Sequence, residues 1–193
     1  MANVNAPFGL RPVAKLAGSN YMGSVRAYST AAGDGTALYI GDPVKLAGTG
    51  QLIAGQTYSD VTAYSVGDVM AGVVVACAPN YANTELTYRA ASTQRIVYVC
   101  DDPGAVFEVQ DITGGTALTA NDIGLNISLV SGAGSTVTGL SGWGLDNTTE
   151  ATTNTLNFQL VGLSPRPDNA IGDSAIFLVR CNKHQFANQV AGV

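Results

Sequence analysis

Few residues in this chain are of types that perform acid–base or nucleophilic chemistry. His184 is the single imidazole. Acyl transfer needs a hydroxyl or thiol with a base in hydrogen-bond reach, so only Ser or Cys brought to His184 would qualify. Ser141, in Gly139-Leu140-Ser141-Gly142, lacks the second glycine of a nucleophile elbow. Zinc needs several His or Cys at short spacing, and Cys77, Cys100 and Cys181 are widely separated. No glycine precedes a lysine, so a phosphate-cradling loop ending in Gly-Lys is not encoded. Paired carboxylates would suffice for glycoside hydrolysis, and fourteen acids are present. Eleven of these are Asp, mostly in turn settings, and the Glu are scattered at 85, 108 and 150. Glu108 alternates with apolar neighbours, which predicts the solvent face of a strand. The chain is read as non-enzymatic, with no catalytic, cofactor-binding or metal residue singled out and no cofactor expected.

The Asp residues have a simpler chemistry. Gly41-Asp42-Pro43, Gly67-Asp68, Asp101-Asp102-Pro103-Gly104 and Gly172-Asp173 set a permissive Gly or a φ-fixed Pro beside a side chain that bonds its own turn. Asp42, Asp68 and Asp173 are expected to end chain reversals. Calcium held by Asp101, Asp102 and nearby carbonyls stays open, without the alternating acids of an EF-hand loop. The three cysteines sit in or beside strand-like runs and are expected as reduced core thiols. No basic start leads into an apolar core, so synthesis and folding in a cytoplasm are expected. Asn126-Ile127-Ser128 and Asn147-Thr148-Thr149 are then chance glycosylation matches.

The elements that would position these groups are strands. Charged residues make up 12% of the 193 residues, against the usual quarter, and three Lys and three Glu are too few to write solvated helices. Strand-like runs separated by turns fall at 25–28, 37–40, 44–46, 70–77, 86–90, 96–100, 106–110, 125–129, 158–161 and 176–180. This pattern predicts an all-β fold, a single-domain β-sandwich or jelly-roll or barrel-like domain, with 96–100 and 176–180 as core strands. The longest apolar run has ten residues, half of what a spanning helix requires, so no membrane partner is expected. A net charge of −5 without a basic stripe argues against nucleic acid.

Residues 1–12 read as an extended N-terminal arm, because Pro7, Gly9 and Pro12 forbid a helix around Phe8 and Leu10. The β domain takes 13–182 and contains a Gly/Ser/Thr-rich surface excursion at 131–157, with Trp143 alone among glycines. Thr119 caps a turn or two of helix with Asp122 in its first turn. Residues 183–193 form a polar C-terminal tail.

Four segments now carry a likeness. Residues 2–13 (ANVNAPFGLRPV), 38–46 (LYIGDPVKL), 71–75 (AGVVV) and 88–110 (YRAASTQRIVYVCDDPGAVFEVQ) occur in the order found in tailed-bacteriophage head decoration, or capsid cement, proteins, and the chain resembles that family. The resemblance spans most of the first 110 residues and not the excursion. It implies a structural virion protein, made in the host cytoplasm and bound to the outer capsid surface. Its partners would be the major capsid protein and other copies of itself, as a homo-oligomer with a trimer favoured over a dimer. Pro7, Phe8, Leu10, Arg11, Pro12 and Trp143 are the expected interface residues. The alternative is a carbohydrate-binding β module for host-surface attachment, with Trp143 and tyrosines stacking on sugar rings.

Overall fold

A computed structural model of the chain describes residues 3–187. Among the described residues the fold is all-β, with eleven strands and one 3-10 turn. β1 (Arg11–Lys15), β7 (Ala105–Gln110), β11 (Ile176–Cys181), β10 (Phe158–Leu163), β8 (Asn126–Val130) and β9 (Gly144–Ala151) pair in that order in one sheet. β2 (Arg26–Thr30), β4 (Gln56–Ala63), β3 (Pro43–Ile53), β5 (Gly72–Cys77) and β6 (Arg95–Cys100) close into a five-stranded barrel. The six-stranded sheet curls until Leu145 of β9 bridges Asp111, the residue after β7.

Each body has its own core. Val44, Val61, Val74, Val97 and Val99 fill the barrel, β-branched side chains suited to a tightly curved sheet. A larger cluster, including Phe107, Phe158, Phe177, Ile127 and Leu129, lies against the open sheet and runs to Met70 and Val73 of the barrel side. The barrel seam between β2 and β4 is parallel and carries one pair, Ser29 with Asp60. Asp60 reinforces it by accepting from the hydroxyls of Ser29 and, at 2.8 Å, Thr49, so a buried carboxylate is satisfied where backbone pairing is sparse.

Several expectations change here. The runs 37–40 and 86–90 are not strands: they meet through a single bridge between Leu38 and Arg89, beside the stacked rings of Tyr39 and Tyr88. The cause is Arg89, fully buried, whose guanidinium donates to the carbonyls of Ala31, Thr36 and Thr93 and so holds three irregular segments together. Arg95 does the same for the loop ahead of it, donating to Ala78, Leu86 and Tyr88. β4 is an unforeseen strand, because the outer part of its hairpin with β3 is rich in Gly, Thr, Gln and Ser and turns on Ala54-Gly55, both at positive φ, without an Asn-Gly signature. β9 lies inside the supposed excursion, where Leu145 is core and Asn147 is buried on Asp111 and Thr113. Thr119 caps the 3-10 turn Ala120–Asp122 with a full capping box, as expected.

Glu108 is buried, not on a solvent face. β7 is flanked by β1 and β11, and its second face is covered by the N-terminal arm and by the 164–169 loop. His184 is likewise buried rather than in a free polar tail, since its backbone bridges Met70. The remainder of the expected tail, 188–193, lies outside the described residues.

Replacing Arg89 by Met removes five donors from a dry site, strips Thr36 O of its donor and leaves Ala31 O and Thr93 O with only Asp34 N–H and the Thr30 hydroxyl. A loss of about 3 kcal/mol or more in urea unfolding is expected, with Arg89→Lys recovering less than half, because one ammonium cannot copy the fork. A loss below about 1 kcal/mol for the Met variant would contradict the role given to this residue.

Candidate functional site

The site builds outward from the arm. Asn3 clasps the 170–173 turn: its side-chain amide donates to the carbonyls of Ala170 and Asp173 and accepts from Ala170 N–H. Gln110 then splints the arm, donating to Val4 O at 2.7 Å and accepting from Ala6 N–H at 2.9 Å. Pro7 is exposed and has no N–H to satisfy. Phe8 is half-buried beneath the Arg11 guanidinium, 5.0 Å from its ring centroid. Arg11 also pairs with Glu108 of β7.

At Gly9 the chain threads a close crossing. A β-carbon there would stand 2.5 Å from both Gly41 O and Ser141 Cβ, and φ is +75°. Only glycine meets both demands. Leu10 then enters the core, and its N–H donates to Gly41 O at 2.9 Å. Ile40 and Ser141 are linked in turn, Ser141 N–H donating to Ile40 O, while Gly41 N–H donates to Val74 O. Arm, barrel and excursion therefore meet at one point. Above it lies a groove of about 320 Å³ walled by Phe8, Pro12, Tyr21, Ile40, Val75 and Leu140, with Arg11 at its rim.

Of the expected interface residues, the structure brings Phe8, Leu10, Arg11 and Pro12 to this groove and leaves Pro7 exposed beside it. Leu10 is core and Arg11 opens β1, so the arm proper ends near residue 9 and not at 12. Trp143 lies elsewhere. Its indole packs on the larger core, edge-on to Tyr64 at 5.7 Å between centroids. Leu140 and Tyr21 were not foreseen; nothing in a Gly/Ser/Thr run or an exposed loop marks a lone apolar residue as part of a groove 130 positions from Leu10.

Electrostatics separates the two carboxylates near the crossing. Burial alone pulls Glu108 upward, but hydrogen bonds from Arg11 and Ser164, with the charges of Arg11 and Arg166, outweigh it and hold the group below the usual carboxylate range. Asp42 goes the other way: burial raises it to about 6, only partly offset by the Ser141 hydroxyl and Tyr39 N–H. Asp42 is also the turn residue it was expected to be, accepting from Tyr39 N–H at 2.8 Å, and Asp68 repeats the geometry on Ser65 N–H. Asp173 does not, offering its carbonyl to Asn3 instead.

Asp101 and Asp102 have their oxygens engaged by Tyr28, Arg26, Lys15 and Gly104 N–H. Among the described residues no group of three His, Cys, Asp or Glu is placed to hold a metal, and no helix is long and apolar enough to cross a membrane. The three cysteines are free, with burial raising all of them and carrying Cys181 to about 12. No family description, curated protein or solved structure matches this chain.

Two outcomes test this geometry. Gly9→Ala strains the crossing, so amide exchange at Leu10 should accelerate by at least about tenfold while the β7 amides hold; equal exchange in both proteins would refute the crossing. Asp42 is protonated more readily folded than unfolded, so the stability it contributes is full below about pH 4, declines as pH rises to about 6 and is then flat. Asp42→Asn keeps the acceptor for Tyr39 and removes the charge. It should gain on wild type by about 1–3 kcal/mol in urea unfolding at pH 7.5 and little at pH 4. An equal difference at both pH values would contradict the buried charge.

Proposed function

We propose that this chain is a decoration protein of a tailed-phage head, bound to the outer capsid surface across neighbouring major capsid subunits. The carrying observation is the ordered set of four segments that resemble those of cement proteins, and their arrangement in space supports the reading. Residues 9–10, 40–41 and 74 belong to three different segments, and they are hydrogen-bonded in series at the crossing. The fourth segment supplies Glu108 to Arg11 and Arg89 to the bridge with Leu38. What the family likeness selects from the sequence is thus one neighbourhood, the arm and its groove.

That neighbourhood has the chemistry of a protein-binding patch: an apolar wall with an arginine at the rim and polar loops around it. Copies act together as a homo-oligomer, a trimer in the favoured reading, so that moderate contacts at each site add through effective concentration. Trp143 is partly buried, packed on the larger core and T-shaped to Tyr64, which favours a packing role over sugar stacking.

The test is co-sedimentation with mature heads lacking the protein. The full chain should pellet with heads. Phe8→Ser with Leu140→Ser should weaken binding by about tenfold or more, since each removes a large part of an apolar wall. Tyr81→Ser, at an exposed side chain that does not line the groove, should leave binding unchanged. Failure of the full chain to pellet, or equal binding by the groove variant, would overturn the reading. Truncation belongs at residues 2–7, because removing Leu10 and Arg11 would also unseat β1.

A further inference from the structure

Beyond β11 the chain forms a strap from the open sheet to the barrel. Met70 N–H donates to Lys183 O at 3.1 Å and Gln185 N–H donates to Met70 O at 2.7 Å. Asn182 N–H donates to Asn157 O, and Ala187 N–H closes a turn on His184 O. The turn sets the Phe186 ring under the Arg26 guanidinium, 5.3 Å from its centroid. His184 sits inside this strap, 2% exposed.

Its two ring nitrogens differ. Nδ1 accepts from Phe186 N–H at 3.1 Å, so the neutral ring carries its proton on Nε2, which is buried without a partner among the described residues. A second proton has only Nδ1 to occupy. There it would convert the acceptor into a donor pointing at another donor, the Phe186 N–H. We propose that His184 is an acid-release pin: protonation at Nδ1 breaks the 184–186 turn, lifts the strap from Met70 and withdraws Phe186 from Arg26. Release would bare one wall of a hollow of about 350 Å³ lined by Arg26, Tyr28, Leu46 and Tyr58.

The surrounding charges do not favour the cation enough to prevent this. Asp101 and Asp102 attract it from the turn before β7, but Asp101 is engaged by Arg26 and Tyr28, and Asp102 by Lys15. Lys183 precedes the ring in the strap, and Asp68, on the turn leading to Met70, is paired with Lys45. Burial dominates and lowers His184 to about 4. A released strap regains an ordinary imidazole near 6.5 and takes up the proton that the closed strap refuses. The opening constant therefore rises about tenfold per pH unit as pH falls from 6.5 to 4, and levels off near 300-fold.

Nitrogen-resolved NMR on the full chain from pH 7.5 to 3.5 tests this. At pH 7.5 the ring should carry its proton on Nε2, and protection of the Gln185 and Phe186 amides should fall about tenfold per unit between pH 6.5 and 4, ahead of the ring's own midpoint near 4. His184→Asn places an untitratable Oδ1 where Nδ1 stood, and protection there should stay level over the same range. A proton on Nδ1 at neutral pH, or an equal fall in the Asn variant, would overturn the proposal. Should the Asn variant not fold, the wild type decides: protection of these two amides that stays level between pH 6.5 and 4 would also overturn it.

Discussion

β7 is buried along its whole length, yet two of its six side chains, Glu108 and Gln110, are polar. Phe107 and Val109 enter the larger core, and the alternation that puts them there turns Glu108 and Gln110 to the opposite face. In water that face would be the outside of a sheet. Here it is covered, and a buried carboxylate and carboxamide must find donors and acceptors or cost several kcal/mol. Arg11, Ser164 and Arg166 answer Glu108; the backbone of the arm and Ser174 answer Gln110. The polar face of one strand thus recruits the chain's first residues.

Once the arm is seated, its path is forced. Leu10 must reach the core, and the route passes between Gly41 and Ser141 with no room for a β-carbon. The arm consequently joins barrel and excursion and forms one wall of a groove with them. At the other end of β11 the strap performs a similar crossing, pairing with Met70 where β1 pairs with β7. The arm and the strap each join the two bodies, so contacts near either bear on both.

The all-β class was legible because so few Lys and Glu leave no solvated helix to write, and the continuous runs at 96–100 and 176–180 became β6 and β11. Turn chemistry was legible at Asp42, Asp68 and the Thr119 cap because those bonds are local. What escaped was long-range satisfaction of polar groups. Glu108 looks like a solvent residue until Arg11, 97 positions away, lies across it. Arg89 looks like a surface charge until three carbonyls surround it, and Asn147 looks like a loop residue until Asp111 does. His184 was misplaced for the same reason, its partner Met70 being remote in sequence. In the candidate site, the arm residues were visible from their Pro and Gly context. Leu140 and Tyr21 were not, because only the fold brings them to the same wall.

The proposed capsid role rests on this face being the one that meets other subunits. Imaging of heads with and without the protein, at a resolution that orients the two bodies, tests that most directly. The added density should touch the capsid through Phe8, Arg11 and Leu140. Density contacting the capsid through another face, with the arm and groove facing solvent, would contradict the capsid role.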